Sequence, residues 1–115
     1  MELYRHEMDK DVLVVAADGG LDSRNVDEFK AGIQEIVDSG VTKVIVDCAN
    51  LTYISSGGLG ALVTLHKTMK ARGADVKIAG ARSMILDVMS ITSIDKMFEF
   101  YPDVNRARLA FRAPG

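Results

Sequence analysis

Residues 44–46 read Val-Ile-Val, with no polar side chain among them. β-branched residues favour extended backbone, and side chains alternate between faces along a strand, so this run sends apolar groups to both sides of a sheet. A strand hides both faces only when it lies inside a sheet covered by other elements, the usual position of strands in parallel sheets packed by helices. Lys43–Asp47 is therefore read as the centre of an α/β sheet. The rest of the chain has to supply its neighbours and its cover.

The flanking segments supply both. Residues 12–18 (VLVVAAD) form a second apolar run, preceded by alternation over Leu3–Met8, and Asp9-Lys10-Asp11 between them reads as the turn of a hairpin. Gly19-Gly20 reads as the break that ends this strand. Val26, Phe29, Ile33, Ile36 and Val37 then recur at helical spacing and form one face of an amphipathic helix. Asp22 or Ser23 is placed to accept from its first-turn N–H groups, Asp27 and Glu28 suit the positive end of its dipole, and Gly40 suits its exit. Asp75–Ala79 alternates like a strand, and Lys96–Phe100 reads as a short extended segment. A helical stripe passes through Met84, Ile85, Val88 and Met89, and Pro102 or Asp103 opens a last helix with Val104, Ala107, Arg108 and Phe111 on one side. Strands are expected at about 12–17, 43–47 and 75–79, and helices at about 24–38, 57–72, 82–91 and 103–111. Strand and helix in alternation predict an α/β domain whose sheet is at least partly parallel.

At 115 residues the chain is the size of one domain, read as spanning 1–115. Fourteen basic and 16 acidic side chains give a formal charge of −2, with no polybasic block to displace counterions from nucleic acid. No apolar run approaches the roughly 18 residues of a membrane span, and the charged N-terminal stretch lacks the form of a signal peptide. A single cysteine, Cys48, excludes an internal disulfide and a multi-cysteine metal site, and reads as a small buried hydrophobe. With only His6 and His66 besides, zinc would need carboxylates to complete its shell. The expectation is a cytoplasmic, monomeric domain without metal, cofactor, nucleic-acid partner or membrane segment.

The stretch Ser55-Ser56-Gly57-Gly58-Leu59-Gly60 carries the most chemical information. It lies between an expected strand exit and a helix start, where unpaired N–H groups and the dipole receive a hydroxyl or phosphate well. The plain reading is that Ser55 or Ser56 caps the helix while the glycines allow close packing. Nucleotide-loop readings fail on detail. Ala61-Leu62 follows Gly60 where a P-loop needs Lys and Ser/Thr, and neither G-x-G-x-x-G nor G-x-S-x-G occurs at this stretch. His66 lies roughly 15 Å along the helix from Ser56 at 1.5 Å per residue, too far to serve as its base, and is read as half-exposed.

In order and spacing the chain resembles the STAS domains, and more narrowly the bacterial anti-sigma factor antagonists of the SpoIIAA and RsbV type. The resemblance runs through Gly19-Gly20-Leu21-Asp22, Val44–Asp47 and Leu51-Thr52-Tyr53-Ile54. It continues through Ser55–Gly60 against an Asp-Ser-(Ser/Thr/Ala)-Gly-Leu-Gly pattern, and ends in Ile94–Phe98 with Tyr101-Pro102. It implies a small mixed β-sheet with helices packed mainly on one side, and a non-enzymatic switch. In that family an anti-sigma factor serine kinase phosphorylates the antagonist, the unphosphorylated form binds the kinase and frees a sigma factor, and a PP2C-type phosphatase restores it. Ser56 falls at the phosphoacceptor position, and Asp22 at an acidic position near the partner surface. Asp22, Ser23, Ser55, Gly57, Gly58 and Leu59 are the expected partner-binding residues. Ser56 is preferred to Ser55 as acceptor because an N-cap hydroxyl at 56 would point outward while residue 55 still belonged to the strand-exit turn. Ser55 stands where the family has aspartate, and Gly57 replaces the usual small residue after the acceptor. The rival readings are an unphosphorylated STAS scaffold in another signalling or lipid-transport complex, and a small enzyme built on the glycine-rich loop.

Overall fold

The computed structural model describes the backbone of residues 4–9 and residues 11–112. The Val-Ile-Val run forms β4 (Lys43–Asp47), third of five strands in the order β1-β2-β4-β6-β7. The others are β1 (Tyr4–Asp9), β2 (Val12–Ala17), β6 (Asp75–Ala79) and β7 (Glu99–Tyr101). β1 pairs antiparallel with β2, from Tyr4 opposite Ala17 to Asp9 opposite Val12, while β2–β4, β4–β6 and β6–β7 are parallel. The hairpin expected from the alternation is present, although Lys10 of its turn lies outside the described residues. Val44, Ile45 and Val46 are at most 2% exposed, as a strand covered on both faces requires.

The crossovers are α1 (Val26–Asp38), α2 (Ser56–Ala71) and α3 (Ser83–Ile91); α4 (Val104–Arg112) follows the last strand. Alternation along the strands divides the apolar side chains into two cores. Leu13, Val15, Val44, Val46, Val76 and Ile78 face Phe29, Ile33 and Ile36 of α1, Leu62, Leu65 and Met69 of α2, and Ile85 and Met89 of α3. The opposite parity (Val12, Val14, Ile45 and Ala79) meets Val104, Ala107 and Phe111 of α4. Three helices cover one face and α4 covers the other, so the mixed sheet with helices mainly on one side is observed. Cys48 is wholly buried, and its thiol is pushed up to about 12, first by burial and then by the charge of Asp47. Met84 departs from the expected stripe. At 50% exposure it lies off the packed face that Ile85 and Met89 share.

Lys77 is the buried charge of the second face. It sits at the strand parity that faces α4, where its ammonium pairs with Asp75 (3.1 Å) and Glu99 and lies 4.6 Å from the Phe111 ring centroid. Burial disfavours its charge, but hydrogen bonds to Glu99 and Asp75 outweigh that and hold its pKa above the ordinary lysine value.

Gly19-Gly20 does more than end β2. Gly19 turns the chain at φ +86°, and Gly19–Leu21 forms a short strand, β3, parallel to β5 (Leu51–Ile54) in a separate two-stranded sheet. Leu21 is paired with Ile54, which draws the residues after β3 against the start of α2. Among the described residues no helix is long and apolar enough to cross a membrane.

Candidate functional site

The site is the place where two chain segments leave β3 and β5 side by side. The Ser55 N–H donates to the Leu21 carbonyl at 2.8 Å, extending the pairing by one residue before the segments diverge into α1 and α2. Ser55 is extended (φ −82°, ψ 169°) and is the N-cap of α2. Its Oγ accepts from the Gly58 N–H at 3.2 Å, and its carbonyl accepts the first helical bond, from Leu59 N–H at 2.9 Å. Ser56 is the first helical residue and is exposed. The cap at residue 56 used to prefer it as acceptor is therefore corrected by one position. Ser55 turns its hydroxyl inward as the cap, and Ser56, released from that duty, faces outward.

The glycines differ in purpose. A Cβ on Gly58 would fall 2.7 Å from a Leu21 methyl and 2.9 Å from Ile54, so the residue is small because the β3–β5 floor lies beneath it. A Cβ on Gly57 would make an ordinary 3.4 Å contact with Val26, and one on Gly60 would meet open space. Gly58 and Leu59 are both buried. They lie under the helix start and hold it in position.

Across from Ser56, residues 22–25 form a tight loop closed by its own side chains. The Asp22 N–H donates to Asn25 Oδ1 at 2.9 Å, Asn25 Nδ2 donates to the Gly20 carbonyl at 2.7 Å, and Asp22 Oδ1 accepts from the Arg24 N–H at 2.9 Å. Arg24 Nη2 pairs with Asp22 Oδ2 at 2.8 Å. The Arg24 guanidinium, by hydrogen bonding first and by charge as well, holds the Asp22 carboxyl below the usual aspartate range. Neither Asp22 nor Ser23 caps α1 with its side chain. The helix opens at Val26, whose N–H reaches the Asp22 backbone carbonyl at 2.9 Å, because the Asp22 and Asn25 side chains are taken up within the loop. Ser23 is exposed. Asn25 and Arg24 escaped the sequence reading; an Asp and an Asn three apart, each able to bond nearby backbone, were the available signal.

Beside Ser56 a groove of about 430 Å³ runs between α1 and α2, lined by Lys30, Ile33, Gln34, Gly57, Gly60, Ala61 and Thr64. The structure thus brings Asp22, Ser23, Ser55, Ser56 and Gly57 to one edge of the molecule. His66 is almost three turns along α2 from Ser56, its ring 4.8 Å from that of Phe98. No group of three metal-ligating side chains occurs among the described residues.

The fold that carries this site is shared with known proteins. Residues 5–107 match the model of the STAS domain. The chain belongs to the STAS domain family. Among STAS relatives it is similar to BtrV of Bordetella bronchiseptica, whose name marks it as a candidate anti-sigma factor antagonist, at 25% identity over 88% of this chain and 87% of the relative. Its fold is that of an anti-sigma factor antagonist from Mycobacterium paratuberculosis (TM-score 0.88, 22% identity, 96% and 93% of the two chains). It is likewise similar to the Bacillus cell-fate determinant SpoIIAA in its phosphorylated form (TM-score 0.73, 16% identity, 93% and 98%). The unphosphorylated form of SpoIIAA gives a TM-score of 0.72 at 19% identity over 95% and 96% of the chains, so the STAS fold is recognised equally in both states.

Proposed function

We propose that this STAS chain is an anti-sigma factor antagonist, a binding switch without a catalytic step of its own. Unphosphorylated, it docks on an anti-sigma factor serine kinase and so releases a sigma factor. The kinase transfers phosphate to Ser56 and ends the contact, and a PP2C-type phosphatase reverses the modification. The observation that carries this reading is the exposed Ser56 hydroxyl on the first turn of α2, freed from capping by Ser55 and set against the Asp22 loop. Gly57 adds no side chain beside the hydroxyl, and Asp22, Ser23, Ser55 and Gly57 form the contact surface around it. The names of the relatives support the same assignment.

The test is incubation with the cognate kinase and ATP, followed by mass spectrometry of the modified peptide. One phosphate is expected on Ser56 and none in Ser56→Ala. Phosphate on Ser55, or undiminished labelling of Ser56→Ala, overturns the site. A chain that binds its partner and takes no phosphate belongs to the scaffold class instead.

A further inference from the structure

We propose that Arg24 answers phosphorylation of Ser56 by leaving Asp22 for the phosphate, so that the switch also bares the Asp22 carboxylate. The inference rests on Ser56 being the phosphoacceptor.

The two segments are tied on either side of the relevant residues. Ser55 N–H bonds the Leu21 carbonyl at 2.8 Å, and Val26 lies within 3.4 Å of the position a Cβ on Gly57 would take. Arg24 falls between Leu21 and Val26, and Ser56 falls between Ser55 and Gly57, so both belong to the same short edge. The Arg24 side chain is 85% exposed, and among the described residues its guanidinium bonds all go to Asp22. The Asp22 side chain is 25% exposed, but the guanidinium end lies in water, where solvent screens the pair and the arginine is free to turn to a stronger acceptor.

Phosphorylation supplies a stronger rival. Ser56 Oγ forms a bond to the γ-phosphorus of a nucleoside triphosphate as the bond to the diphosphate breaks; the nucleoside diphosphate leaves and the hydroxyl proton passes to water. The product carries about −1.5 to −2 charges and three acceptor oxygens near neutral pH, against one charge and two oxygens on aspartate. A guanidinium offers a planar fork that fits phosphate in a bidentate manner. The Arg24 backbone N–H can stay on Asp22 Oδ1, so the loop keeps its shape while the side chain turns. Asp22 Oδ2 then loses its partner. The surface offered to the kinase changes at two points: a phosphate covered by arginine appears, and a carboxylate formerly paired stands bare. Lys30, which lines the groove together with Gly57, is a second cation that could compete.

Phosphoserine inserted at position 56 during synthesis by codon suppression separates this proposal from the identity of the kinase. Phosphorus NMR titration of that protein, of its Arg24→Gln and Arg24→Lys variants and of Lys30→Gln reads the second ionisation of the phosphate, about 6 when unperturbed. With Arg24 present it should lie at least about 0.5 lower than in Arg24→Gln, with Arg24→Lys between them and the Arg24 Nε–H resonance shifted on phosphorylation. Equal values in wild type and Arg24→Gln, or a rise confined to Lys30→Gln, overturn the proposal. Kinase labelling that avoids Ser56 would overturn the phosphoacceptor assignment while leaving this titration as measured.

Discussion

At the scale of single residues the site is governed by which atoms are already engaged. Two adjacent serines enter α2, and sequence alone leaves open which one caps it, because the capping preference is the same for both and a helix start is set by local geometry. The structure assigns the inward hydroxyl to Ser55 because the Leu21–Ser55 bond holds that residue extended. The adjacent glycines are equally alike in the sequence and unlike in place. Gly58→Ala should cost about 1–3 kcal/mol, since its methyl meets Leu21 and Ile54 with no room to relax. Gly60→Ala, in open space on an exposed helix face, should instead gain up to about 1 kcal/mol from reduced chain entropy. Urea unfolding of the two variants checks both signs together.

At the scale of elements, periodicity made the long pieces legible and missed the short ones. α1 and β4 carry their own pattern, an apolar face in one and an unbroken β-branched run in the other. β3 is three residues with two glycines, stabilised by a partner thirty residues away, and nothing local distinguishes it from a break. β7 overlaps the expected extended segment only at Glu99 and Phe100 and runs on to Tyr101, after a 3-10 turn at Ile94–Lys96 that no period announces. The contact of α2 with the chain before β7 gives a pH effect. His66 Nδ1 is buried without a hydrogen-bond partner against Phe98, and burial, aided by Lys70, lowers the imidazole pKa, with Asp75 acting the other way. The unfolded chain therefore takes up the proton first. The stability that rests on neutral His66 is complete above about pH 6.5, falls as the pH drops from there through the folded-state value, and is spent below it. Thermal melts across that window should fall more steeply for wild type than for His66→Leu. On the opposite face, Lys77 fastens β6 to β7 and α4 through Glu99 and Phe111. Lys77→Ala should destabilise by about 2–4 kcal/mol, chiefly through lost packing, since Asp75 keeps its pairing with Lys70 at 2.8 Å and Glu99 is largely exposed, whereas Lys77→Met, which keeps the stem, should lose much less. Chemical denaturation of both variants separates the stem from the charge.

At the scale of the whole molecule, the fold was legible because the order of elements, and not any one boundary, defines it. What the sequence left open was which helix covers which face, a matter of strand parity that places α4 alone against Val12, Val14 and Ile45. The proposed switch leaves this framework untouched. A negative group at residue 56 meets the positive end of α2, worth roughly 0.3–1 kcal/mol in its favour, so the fold has no reason to change. The same charge must be desolvated when a partner docks, at a cost of several kcal/mol. Ser56→Asp, a partial mimic, should hold its stability within about 1 kcal/mol of wild type yet bind the kinase at least tenfold more weakly, while Ser56→Ala binds and resists switching. Calorimetric titration of the folded variants decides this, and equal affinity for wild type and Ser56→Asp would count against phosphorylation as the control.

The strands of the main sheet stand in space in the order in which they occur in the chain, from β1 to β7. No later strand has to be inserted between two earlier ones. During synthesis, at about 5–20 residues per second, each new strand therefore finds a finished edge waiting and adds to it in one direction, with the crossover helix laid down before the next strand emerges. Both loops of the candidate site are made before β6 exists, and β5 can close on β3 as soon as residue 54 is free. The edge that carries the candidate site is thus among the first parts of the nascent protein able to take shape, ahead of the helix that seals the far face.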